Sequence, residues 1–242
     1  MKNTFIALAV LLFIVACKKD EDHGDANVHI TGNIKGFKKG RLFVKRYNDT
    51  ALVNIDTILI DGNSQFESHV KLDSPEMLYL VIDRVTTNSV DSELPFFAEP
   101  GNIKIDTYKD EFFANAKITG SENQKIYEEY KKLKSRFINE NLDLTKLSFE
   151  AGNNVKKQDS IEQRSKALES RRYLYTANFA LNHADHEVSP YIAITEVAEN
   201  INLKYLDTIS KSMTPKVAKS RYGKLLNDVI AKRKKADAAP LQ

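Results

Sequence analysis

Three spacings of hydrophobic and polar residues follow one another along the chain. An unbroken apolar run from Phe5 to Ala16 stands behind a single basic residue, Lys2. Residues 18–27, "KKDEDHGDAN", carry no apolar pattern and read as a solvated tether. From Val28 the period is two. "VHITGNI" alternates through Val28, Ile30 and Gly32, and "RLFVKRY" sets Leu42 and Val44 against Phe43 and Lys45. "VNIDTILI" puts Val53, Ile55, Thr57 and Leu59 on one side. Asp61-Gly62-Asn63 predicts a tight hairpin into "SQFESHVKL". "EMLYLVID", "ELPFFAE", "NIKIDTY" and "NAKITG" follow, and Pro95 and Pro100 around "FFAE" predict a short or edge strand. Short strands at close spacing predict an antiparallel sandwich or barrel.

At Ser121 the period becomes helical. Ser121 and Gln124 fit a capping box, with Ile126, Tyr130, Leu133 and Phe137 as the stripe behind it. Asn139 to Asn154 is polar and predicts a loop with a short helix. Residues 157–182 predict a helix with Ile161, Leu168, Tyr175 and Phe179 inward, and His183 to Glu187 a connection. Ser189-Pro190 suggests an N-cap with proline at the first helical position, and Thr214-Pro215 repeats it. Ile194, Val197, Ala198 and Ile201 carry the first of these helices. Tyr222, Leu225, Leu226, Val229 and Ile230 form the last apolar face. The fold class is therefore α+β, an N-terminal antiparallel β-sandwich followed by an α-helical lobe. The units are 1–16 signal peptide, 17–27 cysteine and tether, 28–120 β domain, 121–235 helical domain and 236–242 tail.

Composition sharpens this division. Residues 18–120 hold 13 basic and 17 acidic side chains, net −4, and residues 121–242 hold 22 and 16, net +6. Opposite signs suggest lobes that dock on each other. The apolar run is too short for a spanning helix, which needs ~20 residues, and fits a secretory signal peptide. Cys17 is the only cysteine. Ile14-Val15-Ala16-Cys17 resembles the lipobox of bacterial lipoproteins, in which the cysteine becomes the acylated N-terminus. That resemblance makes Cys17 the lipidation site and a membrane the partner of the anchor. It also excludes a disulfide, a thiol nucleophile, a Cys-x-x-Cys pair and a sulfur-ligated zinc.

Other chemistry is sparse. The histidines are His23, His29, His69, His183 and His186, and only "HADHE", 183–187, gathers two imidazoles with acids. A His-x-x-His in a connecting loop, without a distant third ligand, reads as a solvated turn. No Gly-x-Ser-x-Gly and no phosphate-binding Gly-x-x-x-x-Gly-Lys occurs. Glu99, beside a proline turn, reads as structural. Lys232-Arg233-Lys234-Lys235 matches the dipole of a helix C-terminus better than nucleic acid. The tyrosines read mostly as core or interlobe packing with the hydroxyl at the rim. No catalytic residue, cofactor or metal ligand emerges.

The segments "HITGNIKG", "GRLFVKRY", "DTILIDGNSQFESHV", "MLYLVID", "PFFAEPGNIKIDTY" and "AKITGSENQKIYEEY" resemble, in that order, the domain of unknown function 4369. The resemblance covers roughly 28–135, and Glu99-Pro100-Gly101 and Ile118-Thr119-Gly120-Ser121 are its most specific pieces. It implies a lipoprotein of Bacteroidota, in which the domain commonly precedes a thioredoxin-like domain, read here as absent. Lys19-Asp20-Glu21-Asp22 resembles a surface-export signal of such lipoproteins. The expected protein is a non-enzymatic envelope lipoprotein of the outer membrane, facing the periplasm or the cell surface. It would act as a binding or assembly module, with an envelope protein as possible partner and no nucleic acid. The alternatives are an accessory subunit of a thioredoxin-like system and a small-ligand or glycan-binding lipoprotein.

Overall fold

The computed structural model describes residues 24–48, 50–83 and 90–238. The stretch read as signal peptide, Cys17, the stretch read as tether up to His23 and the last four residues of the tail lie outside the described residues. Eight strands come first: β1 Val28–Lys35, β2 Lys39–Asn48, β3 Ala51–Asp61, β4 Gln65–Val70, β5 Glu76–Ile82, β6 Glu93–Ala98, β7 Gly101–Tyr108 and β8 Lys117–Thr119. They form two four-stranded sheets, ordered β4-β1-β7-β8 and β3-β2-β5-β6. The inward faces share one core that includes Ile30, Leu42, Leu78, Phe96, Ile103 and Ile105, all fully buried. The fold is thus α+β with a two-sheet N-terminal half.

Three strand expectations change. Asp61-Gly62-Asn63 does turn the chain, with Gly62 at φ 85°. It joins no hairpin, however: β3 pairs with β2, and β4 pairs with β1 in the other sheet. The turn carries the chain across the core. Second, β1 and β7 run parallel, Val28 opposite Gly101 through Lys35 opposite Tyr108. A parallel pair needs a long crossover, and the connection here is the whole passage through β2 to β6. Third, β3 does not keep one alternation. The register shifts at Val44/Lys45, which face Asp56 and Asn54 and leave Ile55 as the extra residue. An extra residue inverts the faces beyond it, so Ile58 packs against the core and Leu59 is 74% exposed. β6 is an edge strand, with Pro95 opposite Tyr79.

Gly32 explains how β1 packs so closely. A Cβ there would lie 1.9 Å from the Ile105 carbonyl and 2.7 Å from the Phe66 ring. The ring lies where a side chain would be.

The helices are α1 Glu122–Ala151, α2 Val155–Asn182, α3 Val188–Ile192, α4 Leu203–Ser212, α5 Pro215–Lys219 and α6 Arg221–Asp237. A π-helical turn, Ala193–Val197, continues α3. The Ser121 hydroxyl accepts the Gln124 N–H as expected of the cap. The polar stretch 139–151 is helix, not loop: α1 runs to Gly152, whose φ is 51°. It needs only a narrow apolar seam, because α2 covers a single side of it. Pro190 sits within α3 behind Glu187 as N-cap residue, and the Ser189 hydroxyl donates to the Ala180 carbonyl at 2.6 Å instead of capping. Thr214 does cap α5, with Pro215 in its first turn. Tyr175 is 54% exposed rather than inward. No helix among the described residues is long and apolar enough to cross a membrane.

A separate cluster joins the lobes. Met77 and Phe97 from the second sheet pack with Ile126, Tyr130, Val188, Ile192 and Tyr222. Around Tyr191, rings stack edge-on at 5.0–5.9 Å from Tyr222, Phe97 and Tyr127. Most of the helical tyrosines therefore pack the junction as expected, but the Tyr130 and Tyr222 hydroxyls are buried there, at Thr176 and at the Met77 N–H, and not at the rim.

Candidate functional site: a charged cleft at the lobe junction

Where the lobes meet, they leave a cleft of about 820 Å³. One wall is the β4–β5 loop around Asp73 and Ser74 with the β6–β7 turn at Glu99 and Pro100. The other is the start of α1, the α2–α3 connection and the α5–α6 corner.

Turn chemistry and capping set its floor. Gly101 begins β7 at φ 129° and turns the chain just after Glu99. The Glu99 carboxylate then accepts the backbone N–H of Glu122 and the Asn123 amide. A carboxylate at a helix N-terminus satisfies orphan N–H donors and meets the positive end of the dipole. Gly120 allows the approach from the other side. Its φ is 98°, and a Cβ would lie 2.0 Å from the Asn102 carbonyl. The two most specific pieces of the sequence resemblance therefore meet in space, at the mouth of α1.

Asn123 links this floor to the helical connection. Its amide also donates to Glu187 Oε2 at 3.2 Å, and its carbonyl accepts the Val188 N–H at 2.8 Å. Glu187 is 1% exposed; among the described residues its Oε1 accepts no hydrogen bond, and Lys216 Nζ lies 3.4 Å from it. A buried carboxylate oxygen with only a solvent-exposed lysine beside it is an under-satisfied acceptor.

The α5–α6 corner of this wall is basic. Thr214 and Ser220 cap α5 and α6 in succession, and Lys216, Lys219, Arg221 and Lys224 flank those caps. Arg221 is committed to the β lobe. It donates to Glu76 at 3.1 Å and to the Tyr47 carbonyl, and its own N–H meets Ser74 Oγ at 3.2 Å. Arg46 flanks Glu76 from the other side at 3.4 Å. Burial pushes the Glu76 carboxyl above its ordinary value, against the pull of Arg221 and Arg46. Lys219 and Lys224 make no ion pair among the described residues.

The sequence-predicted candidates fall differently. His183 and His186 do not converge: His183 Nδ1 lies 2.8 Å from the Phe179 carbonyl, and His186 Nδ1 lies 2.8 Å from Asp185. That hydrogen bond holds Asp185 below its ordinary value. Among the described residues no three His, Cys, Asp or Glu side chains are grouped to hold a metal. His29 and His69 are cross-strand partners on β1 and β4, ring centroids 4.9 Å apart. In the basic run, Arg233 donates to the Ala198 and Ile201 carbonyls, and Lys234 pairs with Asp207 at 2.8 Å.

Sequence reasoning missed Glu76, Glu187 and the basic corner. The corner had a signal: two N-caps six residues apart, Thr214 and Ser220, with four cations around them. Glu76 and Glu187 had none, because an acid's burial depends on partners remote in sequence.

Neither the curated proteins nor the solved structures contain a match to the chain. Residues 28–127, all eight strands and the start of α1, match the family model described as Domain of unknown function (DUF4369).

Proposed function

We propose that this protein is a non-enzymatic lipoprotein of the cell envelope, a binding module held at the outer membrane by an acylated Cys17 and facing the periplasm or the cell surface. The observation that carries the binding role is the junction cleft, where Lys219 and Lys224 make no ion pair among the described residues and line the same wall as the under-satisfied Glu187. Three other charges of the cleft are held in structural roles. Glu99 caps α1, Arg221 ties α6 to Glu76, and Asp185 holds His186. A site so arranged offers recognition of an anionic group with a neighbouring hydrogen-bond donor. Cleft size favours a second reading of the same site, capture of a small ligand or glycan, since ligand pockets run from ~300 to ~1,000 Å³.

Two measurements test the proposal. Cys17→Ser is expected to leave an uncut precursor or release the protein from membranes; normal processing and membrane retention would overturn the anchor. In the second, the purified chain is screened by thermal shift against acidic peptides and acidic glycans. Binding at 100 times the dissociation constant adds ~2.7 kcal/mol to stability. Lys219→Glu with Lys224→Glu is expected to abolish any shift. A shift that survives both changes would place binding elsewhere.

A further inference from the structure

We infer that the outer half of the α1–α2 hairpin is a self-association surface, on which a second copy of this chain packs two-fold symmetrically. The inference goes beyond the cleft and uses a different part of the molecule.

Between Ile138 and Arg171 only Leu144 and Leu168 are buried. The polar links there, Ser148 to Gln158 and Glu140 to Arg171, join the two helices to each other. This part of the hairpin is an arm. Its α1 flank is apolar and open: Ile138 is 48% exposed, Leu142 59% and Phe149 83%. Positions 138, 142 and 149 follow i, i+4 and i+11, which keeps them within ~40° of one another around a helix of 3.6 residues per turn. Beside this stripe runs a groove of about 510 Å³ between the helices, lined by Phe137, Ile138, Leu142 and Leu168 and edged by Glu162 and Arg172. Contiguous exposed apolar residues in a groove mark an interaction site.

A second copy fits this face better than a lipid surface. The stripe runs along α1 from Ile138 to Phe149; exposed Phe149 and Val155 stand at the tip, but the groove edge carries both signs of charge, whereas a membrane-facing arm carries mainly cations. From Lys134 to the end of α1 is about 27 Å at 1.5 Å per residue, and two helices span about 20 Å, so a copy laid antiparallel covers roughly 540 Å² on each side. The total of ~1,100 Å² clears the ~1,000 Å² of a specific interface, at the small end. Glu162 and Arg172 lie on either side of Leu168 along α2, so a two-fold axis near Leu168 sets each against its opposite from the other copy.

Sedimentation of the full chain carrying Cys17→Ser, so that no acyl chain drives association, tests this. A concentration-dependent mass of about twice the monomer is expected. Ile138→Glu with Leu142→Glu, exposed positions whose replacement keeps a good helix former, should weaken the dimer at least tenfold with an unchanged circular dichroism spectrum. Arg172→Glu should weaken it too, and adding Glu162→Arg should restore it. A chain that stays monomeric to ~100 µM overturns the inference. So does a dimer indifferent to Ile138 and Leu142. Co-sedimentation of a monomer with phosphatidylglycerol vesicles, lost in the Ile138/Leu142 variant, would replace the second copy by lipid. The anion-binding reading of the cleft survives or fails independently, because no cleft residue is changed.

Discussion

Met77 and Phe97 are register partners across β5 and β6, and the helical lobe takes the backbone N–H of each. Phe97 N–H donates to Gln124 Oε1 at 2.7 Å, on the free edge of the sheet. Met77 N–H donates to the Tyr222 hydroxyl at 3.0 Å, where β2 no longer pairs with β5. An open strand edge is a liability unless it is covered. Here α1 and α6 cover it from two sides, and in doing so fix the angle between the lobes. Tyr222→Phe keeps the ring among Phe97 and Tyr191 but leaves a buried N–H without an acceptor. A loss of about 1–3 kcal/mol is expected in denaturant unfolding. A change within about 0.5 kcal/mol would mean that the lobes do not depend on this bond.

Gly32 has no room for a methyl group. Gly32→Ala must displace both the Ile105 carbonyl in the adjacent parallel strand and the Phe66 ring. Moving a buried ladder carbonyl breaks β1–β7 pairing, and a destabilisation beyond about 3 kcal/mol is expected. Truncating the ring as well, with Phe66→Ala, should not restore stability, because the nearest obstacle is backbone. Recovery in that double variant would show that the ring alone sets the requirement.

The sequence carried local geometry well and remote pairing poorly. The Ser121 and Thr214 caps and the edge placement of β6 are set by a few adjacent residues, and they appear where the pattern put them. The pairing of β4 with β1, and of β1 with β7, depends on contacts across up to 73 positions, from Val28 to Gly101, about which Asp61-Gly62 says nothing. The Ile55 bulge was hidden for a related reason: an alternation broken by one residue still looks alternating on either side. Of the candidate site, Glu99 was legible as structural from its Pro-Gly neighbours. Glu187 was not, since its buried partner, Asn123, lies 64 positions away in the sequence.

Buried tyrosines give the junction a steep alkaline limit. Burial raises Tyr79 to about 12, and it raises Tyr127, Tyr130, Tyr191 and Tyr222 as well. A phenol whose value is higher in the folded state than the ordinary 10 contributes stability that is fully present below pH 10. That stability is lost as pH rises through the folded value. Stability is therefore expected to be flat with respect to these groups up to about pH 10 and to fall steeply above it. Phenolate absorbance and loss of ellipticity should rise together for this set. Smooth ionisation of all ten tyrosines near pH 10 in a still-folded protein would contradict the packing of the junction.

The arm and the lobes differ in how much they bury, so they should differ in how they open. Residues 139–167 of the hairpin contribute one fully buried apolar side chain, Leu144, and the partly buried Ile161. The inner part of the same helices contributes Ile126, Tyr130, Ala177 and Ala180 to two larger clusters. Local opening free energy follows buried apolar contact. In hydrogen exchange at sub-micromolar chain, too dilute for self-association, amides of 139–167 are expected to exchange through a local opening, well before those of 126–133 and 176–180. Leu144→Ala removes the main contact that holds the arm. Burial at a partly collapsible site puts its cost at the lower end of the ~2–5 kcal/mol range for such changes. That cost should appear as a loss of protection confined to the arm, with β1 and β7 unchanged. Equal loss across the sheets would mean that the arm and the lobes unfold as one unit. Raising the chain concentration should restore protection in 139–167 of the unmodified protein if the arms pair, and leave it unchanged in the Ile138/Leu142 variant.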